Sequence, residues 1–599
     1  MSTLNSTTDA DEQGGLPTPR RAALALLWRA ARADRRQLVL ATLFLALAGV
    51  LEAAGPILGK HLIDRHLVPA VAPGGGAPDW LAVGGLIGGM LAFGWAATIV
   101  RYFQRLRLAG LATRSVRRLR EWVYGHVLGL PMRFFDRAIT GQLVSRITND
   151  TEVVEELYTK VLFELLYCAT VLLGVIVAML WLDWRALLAL LLLIPATIAI
   201  VWGYERMSAA AVQRLRELRS DINAQSAEGI SGMPVLQASG AQQRFAARFA
   251  ATNEAHYRAR MGQNRANAWL LRPALDLVEI ALIAGVIGAV GTGHFVGVEV
   301  GLLYAFITYM QRVTEPLIQV TMQFSMLQQA MVAAGRVDAL LAEDRGPRVP
   351  AGPAIGAGRV TLSGVRFGYD PRQPVLHDIT LHFEAGGFYG IVGHTGSGKS
   401  TLLALLLRFY APQAGRIAVG DVPLQAIGDE DFRRQVGVVS QEPFLLAASA
   451  RENIDMGRGL GAQAVEAAAR AARVHEVILR LEQGYDTPLG EGGARLSSGQ
   501  KQLIALARTL AGNPRILFLD EATSRIDSET EREVAAAIEA LRGRVTVIAI
   551  AHRLSTIRHA DRIVVLNHGH VAEQGPHEAL MAHEGGIYQR LYLLQQIGD

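Results

Sequence analysis

The sequence predicts a chain of two parts, an all-α membrane domain of six spanning helices and a following α/β domain that contains a P-loop. Composition indicates the membrane domain, because 51% of the 599 residues are hydrophobic and only 19% are charged, which is apolar for a soluble protein. A glycine-rich loop at residues 393–400, set among short β-like runs, indicates the α/β domain. We place the membrane domain at residues 1–340, a charged linker with Pro and Gly at 341–358, and the α/β domain at 359–599.

Six apolar segments reach the length of about 20 residues that a helix needs to cross a bilayer. They are Gln37–Leu58, Trp80–Tyr102, Val161–Trp181, Arg185–Tyr204, Trp269–Val290 and Gly301–Val320. Lys and Arg gather in alternate connections, with eleven in residues 101–160 and ten in residues 206–272. The positive-inside rule therefore predicts that these two connections and both termini are cytoplasmic. This distribution accounts for the net charge of +5, so we exclude a nucleic-acid partner.

The two cytoplasmic connections are too long for simple turns, and they repeat apolar residues at helical spacing. We expect the spanning helices to continue beyond the bilayer as stalks, joined at tips near Phe134–Gly141 and Gly229–Gly240. A further helix, Arg20–Arg36, is basic and amphipathic and suits the membrane surface. The single cysteine, Cys168, lies in an apolar run and excludes a disulfide framework.

Charged residues inside the predicted spans mark candidate substrate sites, because an unpaired charge is costly in lipid. Asp276 and Glu279 stand three residues apart, hence on one face of the fifth span. They form either a site for cationic amphiphiles or protons, or an interfacial pair held by a neighbouring arginine. Arg312 and Glu315, beside Pro316, are expected to form an ion pair within the last span.

The glycine-rich loop has the residues that bind a nucleoside triphosphate. Its glycines let successive backbone N–H groups converge on phosphate oxygens, and the following helix, Thr401–Phe409, presents its positive N-terminus to the same anion. Lys399 supplies charge to the β- and γ-phosphates, and the Ser400 hydroxyl suits a Mg²⁺ ligand. The predicted ATP-binding residues of this loop are Gly393, His394, Thr395, Gly396, Ser397, Gly398, Lys399, Ser400 and Thr401.

Five other residues of the α/β domain have the order and spacing of a site that hydrolyses ATP. Tyr369 suits a stacking shelf for the adenine ring. Two predicted strands end at Gln441 and Asp520, which can offer oxygen ligands to Mg²⁺. Glu521 can polarise the attacking water, and His552 can hydrogen-bond the γ-phosphate. We therefore predict Glu521, His552 and Gln441 as catalytic residues, with ATP and Mg²⁺ bound.

The segment Leu496-Ser497-Ser498-Gly499-Gln500 resembles the signature motif of ATP-binding-cassette (ABC) proteins. Six spans followed by one ABC ATPase domain are similar to a half-transporter of the ABC exporter type, in the multidrug-resistance-like group. Leu303–Tyr309 and Glu315–Leu317 on the last span resemble the MdlB-type subunit of bacterial heterodimeric multidrug exporters. The resemblance implies a protein of the bacterial inner membrane, whose signature motif contacts the ATP held by a second subunit. It also implies that Ser524 and Asp527 belong to the D-loop.

Two departures from the family pattern bear on the partner subunit. The signature has Ser498 where the family has Gly, and the loop after Glu521 reads Ser524-Arg525-Ile526-Asp527 where the family commonly has Ser-Ala-Leu-Asp. Ser498 adds a side chain where the backbone should approach phosphate closely. With Glu521 and His552 intact, the pattern resembles the subunit of an asymmetric pair that supplies the catalytic glutamate. We favour a heterodimer with a second half-transporter and leave a homodimer open.

The expected function is ATP-driven export of small amphipathic compounds across the cytoplasmic membrane by alternating access. A lipid or lipid-A-type flippase shares every motif named here and is the main alternative, and an ATP-regulated channel is a further one. The six apolar spans exclude a soluble ATPase that handles nucleic acid. The fusion of membrane and ATPase domains on one chain argues against an importer.

Overall fold

The computed structural model of the chain describes residues 20–71, 73, 77–292, 299–356, 358–520, 528–551 and 554–598. These residues form two compact units. The first unit comprises the described residues up to 129 together with 138–344, and the second comprises residues 130–137 together with 345–599.

The first unit is built from helices. Together with α5, which belongs to the second unit, they are in chain order α1 (Arg20–Arg32), α2 (Arg35–Leu62), α3 (Val68–Val71), α4 (Trp80–Val127), α5 (Met132–Phe135), α6 (Thr140–Ile147), α7 (Asn149–Glu156), α8 (Phe163–Leu182), α9 (Trp184–Ser231), α10 (Met233–Ala238), α11 (Gln242–Ala266), α12 (Arg272–Gly291) and α13 (Val300–Leu341). Short π-helical turns at Ile63–Leu67, Leu157–Leu162 and Asn267–Leu271 join consecutive helices without a break.

Four helical stretches of the described residues have the length and apolar composition to cross a membrane. They are Arg35–Val71, Trp80–Val127, Thr140–Leu182 and Gln242–Val290. All six segments predicted to span the membrane are helical, and the remaining two lie in α9, whose apolar portion Leu191–Tyr204 is shorter, and in α13. Helices α4 and α9 have 48 residues each. At about 1.5 Å per residue they are about 72 Å long, more than twice the hydrocarbon thickness of about 30 Å.

Helix α1 packs against α13 and α4 through an alanine- and leucine-rich face. Leu26 and Leu27 are buried, and the Tyr158 hydroxyl donates a hydrogen bond to the Leu27 carbonyl at 2.6 Å, whereas Trp28 is 58% exposed. The predicted helix Arg20–Arg36 is divided, because α1 ends at Arg32 and α2 begins at Arg35. One face of the amphipathic helix α1 therefore packs against its neighbours, and the opposite face exposes the Trp28 side chain.

The two longest helical pairs are interrupted at short connections. Helix α4 ends at Val127, and the next long run begins with α6 at Thr140. Helix α9 ends at Ser231, and α11 begins at Gln242 after α10 and a turn in which Gly240 has a φ of +61°. These breaks lie at the sequence positions where Gly, Pro and short polar residues are concentrated.

The second unit contains two sheets. Its strands are β1 (Val360–Phe367), β2 (Leu376–Phe383), β3 (Phe388–Val392), β4 (Ala414–Val419), β5 (Val422–Pro423), β6 (Val436–Val439), β7 (Ile516–Asp520), β8 (Thr546–Ile550), β9 (Arg562–Asn567) and β10 (His570–Gly575). The larger sheet has the order β10-β9-β3-β8-β7-β6 and is parallel except for β10. The smaller sheet, β2-β1-β4-β5, is antiparallel.

Helices cover both faces of the parallel sheet. They are α14 (Lys399–Leu406), α15 (Asp429–Gln435), α16 (Ala450–Asp455), α17 (Ala462–Ala471), α18 (His475–Leu479), α19 (Ser498–Leu510), α20 (Ser528–Glu539), α21 (His577–Ala582) and α22 (Ile587–Gly598). Along β7, Leu517 and Leu519 belong to one apolar core and Ile516 and Phe518 to the other. Because alternate residues of a strand point to opposite faces, the sheet is buried on both sides, as a parallel sheet requires.

Two helices begin within candidate phosphate-binding motifs, and the first differs from its predicted bounds. The helix after the glycine-rich loop runs from Lys399 to Leu406 and not from Thr401 to Phe409, because Arg408 adopts a left-handed φ of +63° that ends the helix. The helix of the signature segment begins at Ser498. Each helix therefore starts within its motif, which places the first backbone N–H groups of the helix in the candidate phosphate site.

Candidate functional site

The glycine-rich loop connects β3, at the centre of the parallel sheet, to α14. Gly393 has a φ of +153°, and a β-carbon there would lie 2.2 Å from the Leu566 carbonyl oxygen and 2.6 Å from Ser397 Oγ. Gly398 has a φ of +100°, and a β-carbon there would lie 2.7 Å from Leu376 Cδ2. Both positions exclude a side chain, so the loop can wrap tightly around a small anion.

Two buried polar side chains of the loop suit a phosphate ligand. The Lys399 ammonium donates hydrogen bonds to the carbonyls of Gly393 at 2.8 Å and His394 at 3.0 Å, so it lies over its own loop. Ser397 Oγ is buried and has no hydrogen-bond partner within the described ranges. A buried hydroxyl without a partner is costly unless a ligand satisfies it. These donors and the N-terminus of α14 fit a polyphosphate, while His394, Thr395, Gly396 and Ser400 are exposed and Thr401 is buried.

The sheet register brings the two predicted metal ligands to the edge that carries this loop. Asp520 pairs with Ile550 in β8, and Ile550 pairs with Ile391 in β3, two residues before the loop begins. Gln441 follows β6, the strand on the other side of β7. Asp520, Gln441 and Ser400 can each offer a side-chain oxygen as a metal ligand. Oxygen ligands are those that Mg²⁺ prefers. The residue set therefore fits Mg²⁺.

Four predicted functional residues lie outside the described residues. They are Glu521, Ser524, Asp527 and His552. The sequence places Glu521 directly after β7 and His552 two residues after β8, hence beyond the carboxyl ends of strands that neighbour each other in the sheet. Their predicted roles stay predictions.

Tyr369 belongs to an aromatic cluster after β1 and is 50% exposed. Its ring lies 5.3 Å from that of Phe367 and 5.1 Å from that of Tyr410, in edge-to-face geometry. The Tyr410 hydroxyl hydrogen-bonds the Asp136 carboxylate, and burial together with that bond raises the pKa of Tyr410 to about 12. Asp136 follows α5, so the exposed Tyr369 face is supported by a contact with the segment 130–137 of the same unit.

The signature segment forms the start of α19 and is held by a capping box. Ser497 Oγ accepts a hydrogen bond from the Gln500 backbone N–H at 3.2 Å, and Gln500 Oε1 accepts one from the Ser497 N–H at 3.1 Å. Leu496 and Gly499 are buried, whereas Ser497 and Ser498 are exposed. A serine that caps through its oxygen keeps its O–H free to donate, so Ser497 can serve an outside phosphate as well as its own helix.

Comparison with known families decides the identity of the chain. The family model for the ABC transporter transmembrane region matches residues 38–317, and the ABC transporter model matches residues 376–524. The multidrug resistance-like ATP-binding protein MdlB of Buchnera aphidicola (subsp. Schizaphis graminum) is 33% identical over 562 residues, which cover 94% of this chain and 96% of that relative. The chain belongs to the ABC transporter family. Its second unit contains the ATPase domain, and the chain couples ATP hydrolysis to transport.

A second relative and a solved structure are also similar to this ABC transporter over most of its length. The ATP-dependent lipid A-core flippase of Chromobacterium violaceum is 36% identical over 571 residues, which cover 93% of this chain and 94% of that relative. A bacterial Atm1-family ABC exporter with ATP bound aligns with a TM-score of 0.77 at 30% identity, covering 94% of this chain and 98% of that one. The chain therefore has the fold of an ABC exporter.

The membrane unit of this ABC transporter contains a cavity of about 420 Å³ between α2, α4, α8 and α13. It is lined by Gly49, Glu52, Ala53, Gly94, Ala97, Thr98, Arg101, Glu164, Tyr167, Val171, Gly174, Val175, Tyr309, Gln311, Arg312, Glu315 and Pro316. Small and apolar residues form most of the wall, and five side chains carry charge. Such a mixture suits a molecule that has both an apolar and a polar part.

Most of the charged residues in this cavity are paired. Glu52 forms an ion pair with Arg101, and the Arg312 guanidinium donates a hydrogen bond to the Glu52 carbonyl at 2.7 Å. Glu315 pairs with Arg272 at 2.9 Å. The predicted ion pair between Arg312 and Glu315 is therefore wrong, because each finds a partner on another helix. Glu164 makes no hydrogen bond or ion pair with any residue that the structure describes, although the charge of Arg105 acts on it.

The predicted substrate residues of the fifth span lie elsewhere. Asp276 Oδ1 is 3.7 Å from Arg272 Nε on the same helix, and Glu279 accepts a hydrogen bond from the Thr314 hydroxyl at 3.1 Å. Neither residue lines the cavity. Sequence reasoning passed over Glu52 and Glu164, although each is a carboxylate within a predicted span and could have been found by that signal.

Proposed function

We propose that this chain is one half of an ATP-driven exporter of amphipathic compounds, working by alternating access across the bacterial inner membrane. The observation that carries the proposal is the cavity between α2, α4, α8 and α13, which combines an apolar wall with charged groups inside the predicted spans. On the same chain, a phosphate-binding loop and two candidate metal ligands meet at one sheet edge. The proposed ATP site and the proposed substrate cavity thus belong to the same polypeptide.

The proposed topology has six membrane spans with both termini and the ATPase domain in the cytoplasm. Two of the six spans, in α9 and α13, are helical but fall short of the length or hydropathy of the other four. The proposal for these two rests on the sequence, since Lys and Arg are concentrated in residues 101–160 and 206–272, on one side of the membrane. An even number of spans between the two basic connections is required to place both on that side, which supports a span in α9, while the span in α13 rests on its apolar segment Gly301–Val320.

In the proposed ATP site, the loop residues 393–401 hold the phosphates and Tyr369 stacks on the adenine. Glu521 accepts a proton from the water that attacks the γ-phosphorus, so that a new P–O bond forms as the bond to the β-phosphate oxygen breaks. His552 hydrogen-bonds the γ-phosphate. Mg²⁺, which Ser400, Gln441 and Asp520 would hold, neutralises phosphate charge when bound.

The proposed site is completed by a second subunit. The signature residues 496–500 and the D-loop residues Ser524 and Asp527 would face the ATP of that subunit, so that two ATP molecules join two ATPase domains. Ser498, exposed at the start of α19, adds a side chain at this contact. This substitution supports a heterodimer with a second half-transporter whose signature is unaltered, and it leaves a homodimer as the alternative. ATPase activity of the chain purified alone in lipid nanodiscs, compared with activity after co-expression of a second half-transporter, separates the two.

Cationic and amphipathic compounds are the substrates that the cavity suits best. Glu164 is the carboxylate of the lining that lacks an ion-pair partner among the described residues, so it is available to a substrate cation. The relative named as a multidrug resistance protein supports this substrate class. The relative named as a lipid A-core flippase supports the alternative, in which a lipid occupies the same space.

Dye transport tests the assignment. We expect Glu164→Gln to lower ATP-driven uptake of a cationic dye into inside-out vesicles while leaving a neutral dye unaffected. The double variant Asp276→Asn/Glu279→Gln removes the carboxylates outside the cavity and is expected to transport both dyes normally. If the double variant alone loses cation transport, the site lies on the fifth span instead. Stimulation of the ATPase by lipid A but by neither dye would favour the flippase.

A further inference from the structure

A second cavity, of about 360 Å³, lies where α2 begins and the apolar part of α4 ends. Its lining consists of Asp34, Gln37, Phe103, Leu106, Arg107, Gly110 and Arg114. Gln37 is the first residue of the first predicted span, and Phe103 directly follows the second. The cavity is therefore at the boundary between the apolar spans and the arginine-rich end of the helices.

Positive charge exceeds negative charge around this cavity. The Asp34 carboxylate is shared by Arg114, at 3.2 Å, and Arg118, at 2.7 Å. Burial alone favours the protonated acid, but the hydrogen bond to Arg118 and the charges of both arginines lower the pKa of Asp34, so it is ionised at neutral pH. One carboxylate thus balances one of these two guanidinium groups.

Arg107 adds a charge that no carboxylate of the described residues balances. Its Nη1 donates a hydrogen bond at 2.8 Å to the side-chain oxygen of Gln37, which is a neutral acceptor. Its Nε is buried and has no hydrogen-bond partner among the described residues. The guanidinium lies 5.2 Å from the centre of the Phe44 ring. Arg107, Arg114 and Arg118 together therefore leave a surplus of two positive charges against Asp34.

Apolar side chains border the same cavity. Phe103 is 48% exposed and Leu106 is 57% exposed, and both belong to the cavity lining. An inorganic anion would use the arginines and leave these apolar groups in contact with water. An anionic head group that carries acyl chains would use both.

We propose that this cavity binds the phosphate head group of an anionic phospholipid, with Arg107 and Arg114 at the phosphate and Phe103 and Leu106 against the acyl chains. Basic pockets between membrane helices at the cytoplasmic surface are the general setting for such binding. The site is distinct from the substrate cavity, because the two share no lining residue. A bound lipid would hold the start of α2 against α4.

Native mass spectrometry of the purified full-length chain in detergent, titrated with dioctanoyl phosphatidylglycerol, tests this site. Dioctanoyl phosphatidylcholine is the zwitterionic comparison lipid, and inorganic phosphate is the competitor. We expect saturable binding of phosphatidylglycerol, about fivefold weaker in Arg107→Gln, since one interfacial basic residue contributes that order of affinity. Arg107→Lys should retain binding because it keeps the charge.

Two further variants separate a site from general surface charge. Arg117→Gln removes a charge from the same helix at a position that is 73% exposed and outside the cavity, so it should bind lipid as the wild type does. Gly110→Leu keeps every charge and raises helix propensity, but its side chain fills the cavity beside Arg114, so it should weaken lipid binding without destabilising α4.

Three results would overturn the proposal. Unchanged lipid binding in both Arg107→Gln and Gly110→Leu would remove the cavity from consideration. Equal losses in Arg107→Gln and Arg117→Gln would indicate attraction by surface charge alone. Displacement of phosphatidylglycerol by an equal concentration of inorganic phosphate would assign the site to free phosphate and not to lipid.

Discussion

Two serines of the ATPase unit cap their helices in the same way, and only one of them lies in the proposed ATP site. Ser497 caps α19 and Ser449 caps α16, and in both cases the serine Oγ accepts a backbone N–H at 3.2 Å. In both, the side-chain oxygen of the third helical residue, Gln500 or Glu452, accepts a hydrogen bond from the serine backbone N–H, at 3.1 Å and 2.8 Å respectively. Ser449 is therefore a control for the backbone cap of Ser497, although the Ser449 hydroxyl also donates a hydrogen bond to the Glu452 carboxylate at 2.9 Å.

The substitutions Ser497→Ala and Ser449→Ala should each lose a helix cap, and Ser449→Ala should lose the further hydrogen bond to Glu452 as well. Only Ser497→Ala should lower ATP turnover. Losing the cap costs about 1 kcal/mol, which corresponds to a fall of about 2–4 °C in the midpoint of thermal unfolding for a unit of this size. In the proposed ATP site, Ser497→Ala also removes a hydroxyl that would donate to the γ-phosphate. A hydrogen bond to a charged group contributes about 1.5–3 kcal/mol, so turnover should fall by about 10- to 100-fold.

The assay is ATP hydrolysis in lipid nanodiscs, with thermal unfolding of the same samples. Ser497→Asp adds a decisive comparison, because aspartate caps a helix as well as serine does but brings a negative charge to the phosphate. It should keep the unfolding midpoint and lose turnover. Equal turnover in Ser497→Ala and Ser449→Ala would refute the reasoning, since the signature serine would then act through helix stability alone.

Three other predictions follow from the site geometry. Gly393→Ala places a β-carbon 2.2 Å from a backbone carbonyl and should abolish the thermal stabilisation by ATP, whereas Gly396→Ala, with open space around it, should lose less. Tyr369→Ala should weaken binding of a fluorescent ATP analogue by about 5- to 100-fold through loss of stacking, and Tyr369→Phe should restore it. Tyr410→Phe removes the hydrogen bond to Asp136 and should lower dye transported per ATP hydrolysed more than it lowers hydrolysis itself. Unchanged transport per ATP in that variant would show that the bond is structural only.

Much of the architecture was predictable because the signals are local. A P-loop specifies a strand, a tight turn and a helix within a few residues, and long apolar segments specify membrane helices by length alone. The helix end at Leu406 was not predictable in this way, because the left-handed conformation falls on Arg408 and not on a glycine. The capping box of Ser497 and Gln500 was readable from their spacing of three residues.

The proposed substrate cavity could not be predicted because its residues are remote in sequence. Arg312 bonds to the carbonyl of Glu52, 260 residues away, and Glu315 pairs with Arg272, 43 residues away. The i,i+3 spacing of Arg312 and Glu315 suggested a pair within one helix, but helix packing offered each residue a partner elsewhere. Only the arrangement of four helices shows which intramembrane carboxylates share a cavity.

The central claim is that ATP hydrolysis drives export by this chain. The most direct measurement is ATP-dependent accumulation of a cationic dye in inside-out membrane vesicles that contain the chain with a second half-transporter, compared with the Glu521→Gln variant. We expect this variant to bind ATP but to lose both hydrolysis and dye accumulation. Dye accumulation at the wild-type rate in a variant that does not hydrolyse ATP would contradict it.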